Sequence, residues 1–553
     1  MCQRQEFKVA NGEGLAGGLP ECGEFANCTL FDFRFNFFRW DEPMQKFCIQ
    51  PGELSRKILM SAFEGPIEIQ MAEQCWGDVN RSHQVVLALL DSGESVYGLN
   101  TGFGLLAHQR IPAADLAQLQ LNLVRSHCAG VGELLDDSVV RLIMLIKLAS
   151  LARGFSGVCP AVIESLVSCL NAGVLPCIPS QGSVGASGDL APLAHMSLAL
   201  IGEGTVRVNG DVIPAMDALN RFDIRPLVLG PKEGLALING TQVSTALALA
   251  GLFDAQKLFS AAVVAGAMSV DAAKGSDTPF DRRIHEIRNH QAQKDCARVY
   301  RELLEDSEIR HSHLDCSRVQ DPYSLRCQPQ VMGACLSSIR HVQELLFDEA
   351  NAVSDNPLVF FEGGEILSGG NFHAQPVAMV ADMLANAIAE IGSLSERRVA
   401  LLIDQHLSEL PSFLINDGGL NSGFMMPQVT AAALVSENKH LANSVSVDSI
   451  PTSANQEDHV SMATYAARRL GPMNLNAEKI IAIELLAACQ GIEFRRPLKT
   501  SPKLTTVFER LREAIPFYDQ DRPFDQDIRW VSQNLVNGRC LGDLVGQEFW
   551  GDC

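Results

Sequence analysis

The chain has 553 residues, 47% hydrophobic and 20% charged, so it can bury a large core and is not disordered in composition. Its formal net charge of −21, with no basic cluster to reverse it locally, opposes contact with nucleic-acid phosphates or anionic lipid. The 16 cysteines are too sparse for a disulfide scaffold and contain no C-x-x-C pair, which leaves a reducing cytoplasm as the expected compartment and no zinc ribbon.

Residues 1–43 differ from the rest: they hold Cys2, Cys22 and Cys28, many glycines, and the alternating run FDFRFNFFRW, which reads as a strand if structured. That run interleaves aromatics with Asp32, Arg34, Asn36 and Arg39, so it is no secretory signal. Met44 is the expected natural start. The segment YGLNTGFG then places Tyr97 on a loop punctuated by Gly98, Gly102 and Gly104. From about residue 110 the pattern is helical, and SVVRLIMLIKLASLA is apolar on several sides. Just before it, LVRSHCAGVG carries Ser126 and His127.

The run GSVGASGDLAPLAH, Gly182 to His195, is the most informative stretch. It could be a glycine-rich turn binding an anion at a helix N-terminus, but it is neither G-x-G-x-x-G nor a Walker sequence. Ala186, Ser187 and Gly188 also permit a different chemistry. Attack of the Gly188 nitrogen on the Ala186 carbonyl carbon, with loss of two waters, leaves a methylidene-imidazolone, and Gly188 has no Cβ to obstruct the bent backbone. Such a ring is a carbon electrophile, which ordinary side chains do not supply.

Further along, KEGLALINGTQ sets Asn239 and Gln242 in an apolar run, where buried amides need partners. The stretch GLALINGTQVSTALALAGLF is interrupted by Asn239, Thr241, Gln242 and Ser244, so no transmembrane span is expected there. His311 and His313 form only an H-x-H pair and no H-E-x-x-H occurs, so no metal is expected. In VQDPYSLRCQPQ, Tyr323 and Arg326 share a face if the segment is helical, and Gln320 precedes them. NAVSDNP contains Asn356 and SGGNFHAQP contains Phe372. A helix is predicted from near Pro376, where Val377, Val380, Leu384, Ile388, Ile391 and Leu394 recur every three or four residues. The run Ala431–Leu441 looks similar, and SANQEDHVSM supplies Glu457.

These segments, in this order over roughly nine-tenths of the chain, resemble the histidine and aromatic amino acid ammonia-lyase and aminomutase family, whose electrophile is the methylidene-imidazolone (MIO). The resemblance implies a mostly α protein: an N-terminal region over 44–240 with the tyrosine loop and MIO segment, and a central long-helix bundle with a C-terminal helical region over 241–553. It also implies a homotetramer with shared active sites. By resemblance Tyr97 removes the β-proton, which requires its pKa, ~10 unperturbed, to be lowered. Arg326 binds the substrate carboxylate, with Tyr323 and Gln320 near the amine or the electrophile. Asn239 contacts electrophile and carboxylate, while Asn356 and Phe372 lie near the pocket. Histidine-specific members have the Ser-His pair of Ser126–His127 and a carboxylate at Glu457, so L-histidine is the expected substrate, giving urocanate and ammonia. The alternatives are a tyrosine or phenylalanine ammonia-lyase or 2,3-aminomutase using the same electrophile, and a non-catalytic helical scaffold.

Overall fold

Helix packs on helix around one extended core, and short strands serve only as clips. The computed structural model describes residues 44–92, 99–102, 109–313, 319–545 and 549–550. Tyr97 and the extension over 1–43 therefore lie outside the described residues. The helices that position the site are α1 (Leu116–His127), α2 (Asp137–Leu151), α3 (Leu190–Leu200), α4 (Gln242–Ala272), α5 (Gln328–Ala350), α6 (Gln375–Leu402), α7 (Met425–Leu441) and α8 (Leu470–Glu493).

The bundle is built on α4, α6 and α8, which pack against one another, with α5 laid against α4 and α6 and α7 against α6 and α8. Helix α6 begins where the sequence places it, with Pro376 in its first turn, where a missing N–H costs nothing. Its predicted stripe from Val377 to Leu394 is buried, and alanines beside the stripe are buried too, so the helix meets neighbours on several faces. By length and composition α4 and α6 could each cross a membrane, yet both are mostly enclosed by the protein, as core helices are. Close approach of α4 to α8 depends on Gly251, where a Cβ would lie 2.7 Å from the Leu470 Cβ.

A buried charged pair crosses this apolar interior. Arg398 on α6 donates from Nε and Nη2 to both oxygens of Glu484 on α8 at 2.5 and 2.8 Å, and Ser269 and Ser395 donate to the same carboxylate. Both charged side chains are fully buried. The strands are short: β1 (Gln45–Ile49) pairs in parallel with β2 (Ile67–Met71), and β3 (Val131–Leu134) runs antiparallel to Pro179–Gln181. The latter clip ties the chain after α1 to the segment leading into Gly182.

Candidate active site

The segment Gly182–Asp189 enters α3 and is gripped from distant parts of the chain. Asp189 is fully buried. Its Oδ1 accepts from the hydroxyls of Ser183 (2.8 Å) and Thr464 (2.7 Å), and its Oδ2 accepts from the Ser244 amide (2.7 Å) and hydroxyl (2.9 Å). A buried carboxylate is tolerable only when its lone pairs are satisfied in this way. The Met462 amide donates to the Val184 carbonyl (2.8 Å), the Ser461 hydroxyl to the Gly185 carbonyl (2.8 Å), and the Ala374 amide to the same Gly185 carbonyl (3.3 Å).

Beneath this loop runs the Asn239–Thr241 segment. Gly188 forms a parallel bridge with Gly240, and the Asp189 amide donates to the Gly240 carbonyl at 2.7 Å. Gly188 has φ +74°, and a Cβ there would stand 2.3 Å from the Gly240 oxygen. Only glycine fits both the left-handed backbone and the cradle.

Two polar groups of the tripeptide, the Ser187 hydroxyl and the Ser187 carbonyl, are engaged by side chains from elsewhere in the chain. The Ser187 hydroxyl donates to Glu457 Oε1 at 2.5 Å, and Glu457 Oε2 accepts from the Thr452 hydroxyl at 2.6 Å. Asn239 Nδ2 donates to the Ser187 carbonyl at 3.1 Å, while Asn239 Oδ1 is buried without a partner. Ala186 is buried. A bent Ala-Ser-Gly with a carboxylate on its serine hydroxyl and an amide donor on its serine carbonyl fits the methylidene-imidazolone precursor.

Below the Asn239 segment the interior is charged. Lys147, from α2, donates to the Asn239 carbonyl at 2.5 Å and reaches Gln242 Oε1 at 3.5 Å. Burial pushes the Lys147 ammonium down to about 7. Lys232 pairs with Asp355 at 2.7 Å, both buried. The next residue, Asn356, accepts from the Gly369 amide at 2.7 Å and thereby fixes the chain approaching Phe372, which is partly buried.

His127 ends α1. Its Nδ1–H donates to the Leu123 carbonyl at 2.8 Å, since a carbonyl can only accept, so in the neutral ring Nε2 is the acceptor. The following loop is held by His195 of α3, whose Nε2 accepts from the Gly130 amide at 3.2 Å; burial lowers the pKa of this imidazole, which favours that acceptor role. Thus the helix that starts at the tripeptide also anchors the His127 loop.

Tyr323 and Arg326 do lie on one helical turn, Tyr323–Arg326, with the Arg326 guanidinium 4.9 Å from the Tyr323 ring centroid. Tyr323 is 72% exposed and Gln320 is exposed, whereas Arg326 Nε is buried without a partner. Among the described residues, no hydrogen bond, ion pair or ring contact joins Gln320, Tyr323 or Arg326 to the tripeptide. Sequence reasoning did not single out Lys147, Asp189, Thr452, Ser461 or Thr464. The one available signal was Lys147 itself, a cation with five apolar residues before it and two after it in a helical run.

Residues 54–513 match the family model described as aromatic amino acid lyase. The chain is 59% identical over 501 residues to a histidine ammonia-lyase of Vibrio cholerae, covering 90% of this chain and 98% of that protein. Among solved structures, the histidine ammonia-lyase of Trypanosoma cruzi superposes with TM-score 0.84 at 39% identity, covering 92% of this chain and 96% of the other. Tyrosine aminomutase from Streptomyces globisporus superposes with TM-score 0.85 at 35% identity, covering 90% and 98%.

Proposed function

The chain belongs to the aromatic amino acid lyase family, and from that premise we infer that it is a carbon–nitrogen lyase that removes ammonia from L-histidine without oxidation, leaving trans-urocanate. The observation that carries the substrate is the Glu457 carboxylate bonded to the Ser187 hydroxyl, 270 residues away in sequence. It sets an acceptor for an imidazole N–H at the reacting tripeptide, where a phenyl ring would leave that acceptor unmatched.

Closed across Ala186, Ser187 and Gly188, the ring supplies the carbon electrophile that the reaction needs. The surrounding residues bind, orient and move protons. Asn239 donates to the Ser187 carbonyl, which draws electron density toward that oxygen, and its free Oδ1 is available on the substrate side. Tyr97 takes the β-proton. Arg326 holds the α-carboxylate through two charge-assisted hydrogen bonds, and Tyr323 and Gln320 flank the amine. His127 offers Nε2 to the substrate imidazole; Asn356 and Phe372 wall the pocket and limit water there.

We place Gln320, Tyr323 and Arg326 at the tripeptide of a neighbouring subunit in a homotetramer. Support comes from the absence, among the described residues, of a hydrogen bond, ion pair or ring contact between them and the tripeptide, and from exposed apolar side chains on the bundle: Met379 and Met383 of α6, and Met425, Met426 and Val429 of α7. Cytoplasmic residence is supported by ten cysteines that are free thiols.

The test is near-ultraviolet absorbance of purified enzyme given L-histidine, L-tyrosine or L-phenylalanine separately. Growth with histidine alone is expected. Growth only with another substrate overturns the role of Glu457, and chromatographic detection of a β-amino acid in place of an acrylate identifies an aminomutase.

A further inference from the structure

Lys147 is a costly residue in its position. It lies on α2 between Ile146 and Leu148, is 1% exposed, and belongs to a helix whose other buried side chains are almost all apolar. Desolvating an ammonium this far disfavours its charged form, and an aliphatic residue of the same length would avoid that cost. What the amine gains is narrow: its Nζ donates to the Asn239 carbonyl at 2.5 Å and stands 3.5 Å from Gln242 Oε1. It thus grips the two ends of the Asn239–Gln242 turn. That turn carries both contacts that shape the tripeptide from below, the Asn239 amide on the Ser187 carbonyl and the Gly240 bridge to Gly188.

We propose that Lys147 is a positioning residue for electrophile formation, holding the Asn239–Gly240 backbone against Ser187–Gly188 so that the tripeptide stays bent for ring closure. The proposal rests on the reading that Ala186–Gly188 closes into a methylidene-imidazolone. In that closure a bond forms between the Gly188 nitrogen and the Ala186 carbonyl carbon. One water leaves with the Ala186 oxygen and the two amide hydrogens of Ser187 and Gly188; a second takes the Ser187 hydroxyl and its Cα hydrogen. No oxidant enters. Lys147 touches none of these atoms, and its effect passes through the Asn239 carbonyl.

The experiment is cell-free synthesis of the full chain as wild type, Lys147→Met and Lys147→Gln. Folded protein is isolated by size exclusion at intervals, and the peptide spanning residues 182–195 is weighed by mass spectrometry. Ring closure makes it lighter by two waters, a readout independent of turnover. A merely structural lysine would lower the yield or melting temperature of the variant but leave its folded fraction as dehydrated as wild type. The expected result is that folded Lys147→Met closes roughly tenfold more slowly or worse, about the factor one lost buried hydrogen bond gives, and that Gln, which retains a donor, falls between. If Lys147→Met does not fold, slower closure in Lys147→Gln supports the proposal. Closure at the wild-type rate in whichever variants fold overturns it. A wild-type peptide that keeps both waters overturns the ring itself, a failure recognisable without either variant.

Discussion

Replacing Glu457 by glutamine tests the substrate reading most directly. One carboxylate oxygen accepts from Ser187 and the other from Thr452, so the group is held in place by its two acceptor positions rather than by a cation. Glutamine keeps the shape and one acceptor but turns the other into a donor. On the substrate side the change exchanges a charge-assisted hydrogen bond to an imidazole N–H for a neutral or mismatched one. Hydrogen bonds to charged groups contribute about 1.5–3 kcal/mol, so kcat/KM for L-histidine falls by roughly ten- to 150-fold. Glu457 is only partly buried, which puts the expected loss toward the lower end. The assay is initial-rate absorbance of urocanate over a range of histidine concentrations, run beside mass spectrometry of the 182–195 peptide and a thermal melt. Dehydration of the peptide and the melting temperature should stay near wild type. Unchanged kcat/KM removes Glu457 from substrate recognition; lost dehydration shows that it acts on the precursor instead.

Ser187→Ala removes the hydroxyl that leaves as the second water, so the variant should fold, keep its Ser187-side mass undiminished by that step, and show no turnover; wild-type rates would refute the electrophile. Arg398→Met leaves the buried Glu484 carboxylate without its cation and should cost about 3–5 kcal/mol in urea unfolding, whereas the double variant Arg398→Met/Glu484→Leu should recover most of it. A single variant as stable as wild type would show that the pair is not needed. Asp271, at the end of α4, has its carboxyl raised from 3.8 to about 6 by burial, against hydrogen bonds from Ser307 and Thr500. A raised carboxyl stabilises the fold below its unfolded pKa, and that contribution is lost as pH rises. Relative to Asp271→Asn, wild type should therefore lose stability between about pH 4 and pH 6 and change little above. Parallel denaturation curves across that window would contradict the assignment.

The bundle was legible because periodicity marks a buried face whatever packs on it: the Val377–Leu394 stripe and the Pro376 start needed no tertiary information. The short strands β1 and β2 were not, since five-residue clips carry too little alternation to stand out. Gln242 was recognisable as a buried amide in search of partners, and it found Ser354 and Lys147. Lys147 could not be placed, because a lysine in an apolar helix more often reaches outward along its own stem. Resemblance marked Glu457 as a carboxylate that selects substrate, but its meeting with Ser187 was not readable, as spacing along the chain says nothing about which loops converge. That no bond joins Tyr323 or Arg326 to the tripeptide among the described residues was equally invisible, because no local pattern says which distant segments meet.

Asp189 draws its four hydrogen bonds from Ser183, Ser244 and Thr464, and Gly185 is held by Ser461 and Ala374, so the grip on the bend at Ser187 is complete only after segments as much as 276 residues apart have met. On the proposed chemistry, the two lost waters then become a permanent covalent record of folding. A chain that has once completed its tertiary structure carries the lighter peptide even if it is later denatured, and a chain that never did so carries the heavier one. The mass of a single tryptic fragment would therefore date each molecule as before or after its first passage through the native state.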